Sequence, residues 1–300
     1  MTKNAAMLLI LLGGSFMSFV GLLMRLLETN DGLVILFYRS IGLAFIVCFV
    51  ACLRRRVMPS RFLASLDKTD AAMGFVLGIA FITYVFAMLM TSVASTLFLL
   101  TTSPFFAAII GWVWIGERPH KLTWWAMLAA TFGVAVMLSD GWEMGRTTGN
   151  IVALASALAF AVMLVLARRS KRQDVLGGTF CGGVFAGAMG GICAMFFGAG
   201  LDISAYDLGM TLFMGAFTIG IGIAFVTWGT AYVPAAEVSL LVLIESVLGP
   251  VWPWLFLGET LSLPEIIGGT VVLAAVAVLA LTAREKTQHD KVRQQQDTVS

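Results

Sequence analysis

Charge is what this sequence has least of. Only 12% of its 300 residues are Asp, Glu, Lys or Arg, about half of the roughly 25% found in a soluble domain. With 59% hydrophobic residues and a mean hydropathy of +0.94, an ordinary soluble chain is excluded. The net charge of +2 says little, since the distribution of the charges carries the information, and no nucleic-acid partner is expected. Histidine is nearly missing, and both His120 and His289 fall outside the apolar runs. The four cysteines, Cys48, Cys52, Cys181 and Cys193, lie inside apolar runs without CxxC or Cys/His spacing; they read as small buried residues rather than a metal or redox centre. No phosphate loop, Ser/His/Asp set or zinc-ligand cluster occurs. No catalytic residue, metal or cofactor is therefore expected.

What the sequence has is long apolar runs. A bilayer takes about 20 residues of helix at a rise of about 1.5 Å each. Ten runs qualify: 5–26, 33–53, 71–91, 94–115, 123–139, 149–167, 176–197, 208–229, 235–257 and 264–282. Lys3 precedes the first run, but no A-x-A cleavage site follows it, so that run is at most a retained signal-anchor. The polar stretch 284–300 is expected to be a disordered tail.

The cations test the count. If the N-terminus is cytoplasmic, the inside segments hold Lys3, Arg54 to Arg56, Arg61, Lys68, Arg118, Lys121, Arg168, Arg169, Lys171, Arg172, Arg284, Lys286, Lys291 and Arg293, 16 of the 19 Lys and Arg. Arg25 and Arg146 fall outside, and Arg39 lies within the second run. By the positive-inside rule this predicts a multi-pass protein of a bacterial-type inner membrane with both termini cytoplasmic.

The connector after run four reads IGERPHKL and that after run nine LGETLSLPE, with Glu117 and Glu259 standing 142 residues apart. The same offset pairs Trp112 with Trp254 and Leu99 with Leu241, while FITY (81–84) matches FVTW (225–228) at an offset of 144. Each repeat holds five spans, an odd number, so the second half must enter the membrane upside down. The fold expected is an all-α integral membrane protein of ten transmembrane helices in two inverted five-helix repeats, residues 1–147 and 148–283. Many secondary transporters are built this way, with a site near the midplane where the halves meet.

Ten spans in two such halves, each ending its fourth helix in Gly-Glu and a short turn (Gly116-Glu117 and Gly258-Glu259), resemble the EamA branch of the drug/metabolite transporter superfamily. The resemblance covers residues 5–282. It implies a proton-coupled or exchange-type carrier of small metabolites, often an amino-acid exporter, with helices five and ten peripheral to a central cavity. The family's ninth helix often reads Glu-Pro. Here Glu245 is followed by Ser246, with proline displaced to Pro250 and Pro253.

Within the runs, Glu245 is the least expected residue. An acidic group at a helix centre costs about 2.5–3.5 kcal/mol on insertion scales unless a partner, water or a proton relieves it. It lies about ten residues into its span, roughly 15 Å deep, either as a protonated structural carboxyl or as a coupling group whose proton is exchanged for substrate. Pro250 and Pro253 beyond it each remove a backbone donor and are expected to break the helix. Arg39 lies about six residues into run two, roughly 9 Å deep. It either snorkels to the outer headgroups or faces the cavity as a fixed cation able to grip a carboxylate with two hydrogen bonds.

Tyr38, Tyr84 and Trp228 add aromatics with a polar edge, and Tyr84 and Trp228 occupy matched positions in the repeat, as walls of one cavity or as packing. Ser103 and Pro104 fall in the stretch of run four equivalent to Glu245 and Ser246, a polar, bent counterpart. The candidate substrate site is thus Arg39, Tyr38, Tyr84, Ser103, Trp228, Glu245 and Ser246. Glycines at four-residue spacing, from Gly178 to Gly191, suit close helix packing. The function expected is secondary transport of a small polar or zwitterionic metabolite, amino-acid-like, by export. Uptake of a vitamin-like or nucleoside-like compound, multidrug export, and a non-transporting scaffold or sensor are the alternatives. The expected partners are a small-molecule substrate and the lipid bilayer, with proton coupling and a homodimer left open.

Overall fold

The computed structural model describes residues 1–29, 31–91, 93–137, 147–170, 175–198, 200–258 and 262–297, with 88–89, 93–95 and 282–297 given by backbone alone. Span one is α1 (Lys3–Met17) and α2 (Val20–Leu26), and span two is α3 (Gly32–Arg55). A short α4 (Pro59–Ala64) leads to span three, α5 (Lys68–Met90). Span four is α6 (Val93–Leu100) and α7 (Ser103–Ile115), span five α8 (Lys121–Met137), span six α9 (Thr147–Arg169) and span seven α10 (Leu176–Phe197). Span eight joins α11 (Ala205–Phe213) to α12 (Ile221–Gly229) through a π-helical stretch, Met214–Gly220. Span nine is α13 (Ala235–Val242) and α14 (Ile244–Leu257), and span ten is α15 (Leu263–Asp297).

Nine of these spans are long and apolar enough to cross a membrane, and α8, described over 17 residues, is the tenth. Helix suits such segments because lipid offers no partner to a free backbone group. The starts are set by polar caps in the connectors. Asp31 accepts from the Leu33 and Val34 N–H groups, Asp67 and Asp70 form a capping box, and Ser204 caps α11.

The internal repeat is visible in the elements themselves. The bounds of α6 and α13 stand 142 residues apart, as do Gly116 (φ 76°) and Gly258 (φ 69°), which cap α7 and α14 in the left-handed conformation that favours glycine. Glu259 lies outside the described residues. Packing follows the same exchange of halves: α3 packs on α10, α7 on α13 and α8 on α15, while α5 on α9 is matched by α12 on α1. Swapping the halves leaves the first three pairs unchanged and interchanges the last two.

The glycines of α10 let it sit between α3 and α5. A Cβ on Gly182 would stand 2.8 Å from Leu77 Cδ2, and one on Gly187 would stand 3.2 Å from Ser40 Cβ.

Two expectations need correction. Pro250 and Pro253 lie inside α14, and the break in span nine falls earlier, at Leu243, where Leu243 N–H bonds to Leu240 O and Ser246 N–H to Leu243 O. These three-residue bonds tighten the turn just before Glu245. In span four the break does adjoin its proline. Pro104 stands in the first turn of α7, and the Thr101 and Thr102 hydroxyls donate back to Phe98 O and Leu99 O, both at 2.6 Å. The second correction concerns the tail. The backbone of α15 continues through residues read as disordered, up to Asp297, over a run without Gly or Pro and rich in good helix formers.

Candidate functional site

Arg39, Tyr84, Ser103, Glu245 and Ser246 line one cavity of about 130 Å³, together with Phe81, Ser156 and Ser239. It is built around the two helix breaks by α1 to α3, α5 to α7, α9, the π-helical stretch and α12 to α14. Arg39 is 5% exposed, and its setting is fixed by glycine. Gly215, in the π-helical stretch, lies directly against the Arg39 backbone, and Gly42 against Leu212. This close approach leaves the Arg39 side chain turned to the cavity, with its guanidinium carbon 5.7 Å from the centre of the Phe81 ring.

Arg39 and Glu245 share this cavity, yet no ion pair joins them among the described residues. Opposite charges that face one space without meeting can both be satisfied by something placed between them. Ser103 and Ser239 bond hydroxyl to hydroxyl across the two halves, closing one side of the cavity. Ser156 donates to Ala80 O at 2.9 Å. Ser156 and Ser239 escape sequence reasoning, because a serine within an apolar run is satisfied by a nearby acceptor and raises no alarm.

Two expected residues are elsewhere. The Tyr38 hydroxyl donates to Leu201 O at 2.8 Å, and its ring packs beside Leu33, Val34 and Ala194, because one residue of helix turns it about 100° from Arg39. Trp228 lies one residue from the end of α12, under the Arg54 guanidinium at 4.0 Å. In an inverted repeat, matched positions fall at mirrored depths and meet only near the midplane. Tyr84 is toward the far end of α5, so its counterpart goes to the opposite face. Among the described residues no group of three His, Cys, Asp or Glu gathers to hold a metal.

Ten apolar helices in two inverted halves, enclosing a cavity that holds a buried cation and a carboxylate, make a membrane transporter. The chain belongs to the EamA-like transporter family, matched over residues 4–139 and 147–281, within the drug/metabolite transporter superfamily. It is 28% identical over 251 residues to a protein of Archaeoglobus fulgidus described as an uncharacterized transporter, covering 83% of this chain and 87% of that one. A protein crystal structure with a TM-score of 0.80 and 18% identity, covering 94% of this chain and 99% of that chain, shares the fold.

Proposed function

We propose that the protein is a secondary carrier that exports a small zwitterionic, amino-acid-like metabolite across an inner membrane by alternating access. The observation that carries this is the unpaired Arg39 and Glu245 in one cavity. A substrate carboxylate takes the guanidinium, and a substrate ammonium takes the carboxylate of Glu245. Glu245 is also the group that exchanges a proton for substrate. The cavity volume, about 130 Å³, is below the roughly 300–1,000 Å³ of sites for drug-sized ligands, which favours a metabolite over a multidrug cargo. The distribution of Lys and Arg favours cytoplasmic termini. Arg39 and Tyr84, in the halves of α3 and α5 away from the N-terminal face, then belong to the outer part of the pathway.

Counterflow in proteoliposomes tests the reading. Vesicles loaded with one unlabelled amino acid at a time should accumulate the same labelled compound for a small zwitterionic subset. Accumulation of cationic drugs alone, or of nothing, overturns it.

A further inference from the structure

A second hollow, of about 570 Å³, opens at the face where the N-terminus lies, between the start of α1, the α7–α8 connector and the start of α13. Its walls carry Lys3, Glu117, Arg118, Lys121 and Glu237, and its floor is Ala107, Ala108 and Gly111 of α7 with Ala235 and Ala236 of α13. One turn deeper, the same two helices meet at the Ser103 and Ser239 hydroxyls, which already line the central cavity. Only about one helical turn, roughly 6 Å at 1.5 Å per residue, separates the two hollows. On α7 and α13 the residues that line the hollows on either side of that turn, Ser103, Ala107, Ala235, Ala236 and Ser239, are small, and small side chains pack backbones closely without interlocking.

Two ion pairs stand over this thin partition. Lys3 Nζ is 2.7 Å from Glu237 Oε2, joining α1 to α13. Arg168 Nε is 2.7 Å from Glu117 Oε1, joining α9 to the end of α7. Arg168 Nη1 also donates to Ala231 O at 2.5 Å and Thr230 O at 3.3 Å, just past α12. Spans one, four, six, eight and nine are thereby tied at one face. Lys3, Arg168 and Glu117 are 32%, 22% and 27% exposed, and Glu237 13% with its Oε2 buried; solvent-reached pairs of this kind contribute little to stability. They can hold a conformation without being needed to hold the fold.

We propose that this hollow is the second mouth of the transport pathway, with the α7/α13 contact as its door and the Lys3–Glu237 and Glu117–Arg168 pairs as the latches that keep it shut in the conformation described here. It receives the same carboxylate-bearing substrate, drawn by Arg118 and Lys121, which the latches leave unused. The proposal rests on the carrier reading above, but its test does not need a known substrate.

Val242 lines the central cavity beyond the door. In a protein whose four native cysteines are replaced by serine, Val242→Cys should react slowly with a charged, membrane-impermeant thiol reagent applied from the N-terminal face. Glu237→Gln combined with Arg168→Gln should raise that rate about tenfold. Exchanging the first latch, Lys3→Glu with Glu237→Lys, should leave the rate slow, whereas either single change of that swap should raise it. Glu237→Gln alone serves as the conservative variant, and each protein is first shown to be monodisperse with an unchanged unfolding temperature. An unchanged labelling rate in the latch variants overturns the door. If counterflow persists in that case, the door has failed and the carrier reading stands; if labelling rises as stated while no solute exchanges, the carrier reading has failed and the door stands.

Discussion

A guanidinium presents a carboxylate with two parallel donors, whereas an ammonium meets it as a point charge. Arg39→Lys therefore keeps the charge of the cavity and loses the geometry. An unmatched buried polar group costs about 1–3 kcal/mol, and tenfold in affinity corresponds to about 1.4 kcal/mol. Counterflow of carboxylate substrates should fall by roughly ten- to a hundredfold, with esters or amides of the same compounds much less affected. Equal losses for both would remove Arg39 from substrate recognition. Glu245→Gln keeps the shape and removes the exchangeable proton. It should abolish flux driven by a pH gradient, while solute-for-solute exchange persists only at raised substrate concentration because the ammonium loses its charged partner, and pH-driven flux surviving in that variant would show that the coupling group is another residue.

Arg39 and Glu245 stand out in the sequence because a charge inside an apolar run is costly and needs a reason. Tyr84 was legible by its place in the repeat, but Trp228 was drawn in by the same argument and belongs to the other face. Equivalence in an inverted repeat means mirrored depth, and proximity does not follow from it. A cysteine at Tyr84 should thus be protected from a polar thiol reagent by substrate, and one at Trp228 should not.

At the scale of elements, the glycines divide into those with a neighbour against them and those facing open space. Gly215 has the Arg39 backbone against it, and Gly209, in α11 of the same span, has nothing within 4 Å of an added Cβ. Gly215→Ala forces backbone apart and should destabilise by about 1–3 kcal/mol, the usual range for overpacking. Gly209→Ala should be neutral or slightly stabilising, because alanine is the better helix former by about 1 kcal/mol. Thermal unfolding in detergent separates them; equal melting points would mean that spans two and eight are not in close contact.

The helix count and the repeat could be read from hydropathy and from the two Gly-Glu turns. The position of the break in span nine could not, because prolines mark where a helix lacks a donor, whereas the turn at Leu243 comes from tightened backbone bonds that any residue can make. The π-helical stretch of span eight was equally silent. The change of offset from 144 at FITY and FVTW to 142 at the Gly-Glu turns arises after both, since Tyr84 stands nine residues before the start of α6 and Trp228 seven before the start of α13.

At the scale of the whole molecule, the distribution of cations predicts the orientation. Reporters fused after Lys68 and after Lys121 should read cytoplasmic and one after Gly145 periplasmic. A cytoplasmic signal at the last would remove a span and with it the odd number on which the inversion depends.

The unmet charges of the cavity also bear on how the empty protein survives heating. A solute that bridges Arg39 and Glu245 binds the folded chain and has nothing to bridge in the unfolded one. It therefore raises the free energy of unfolding, by about 2.7 kcal/mol when present at a hundred times its dissociation constant. Cargo can then be sought without any flux assay, as whichever small zwitterion delays melting of the purified protein and loses that effect in Arg39→Lys.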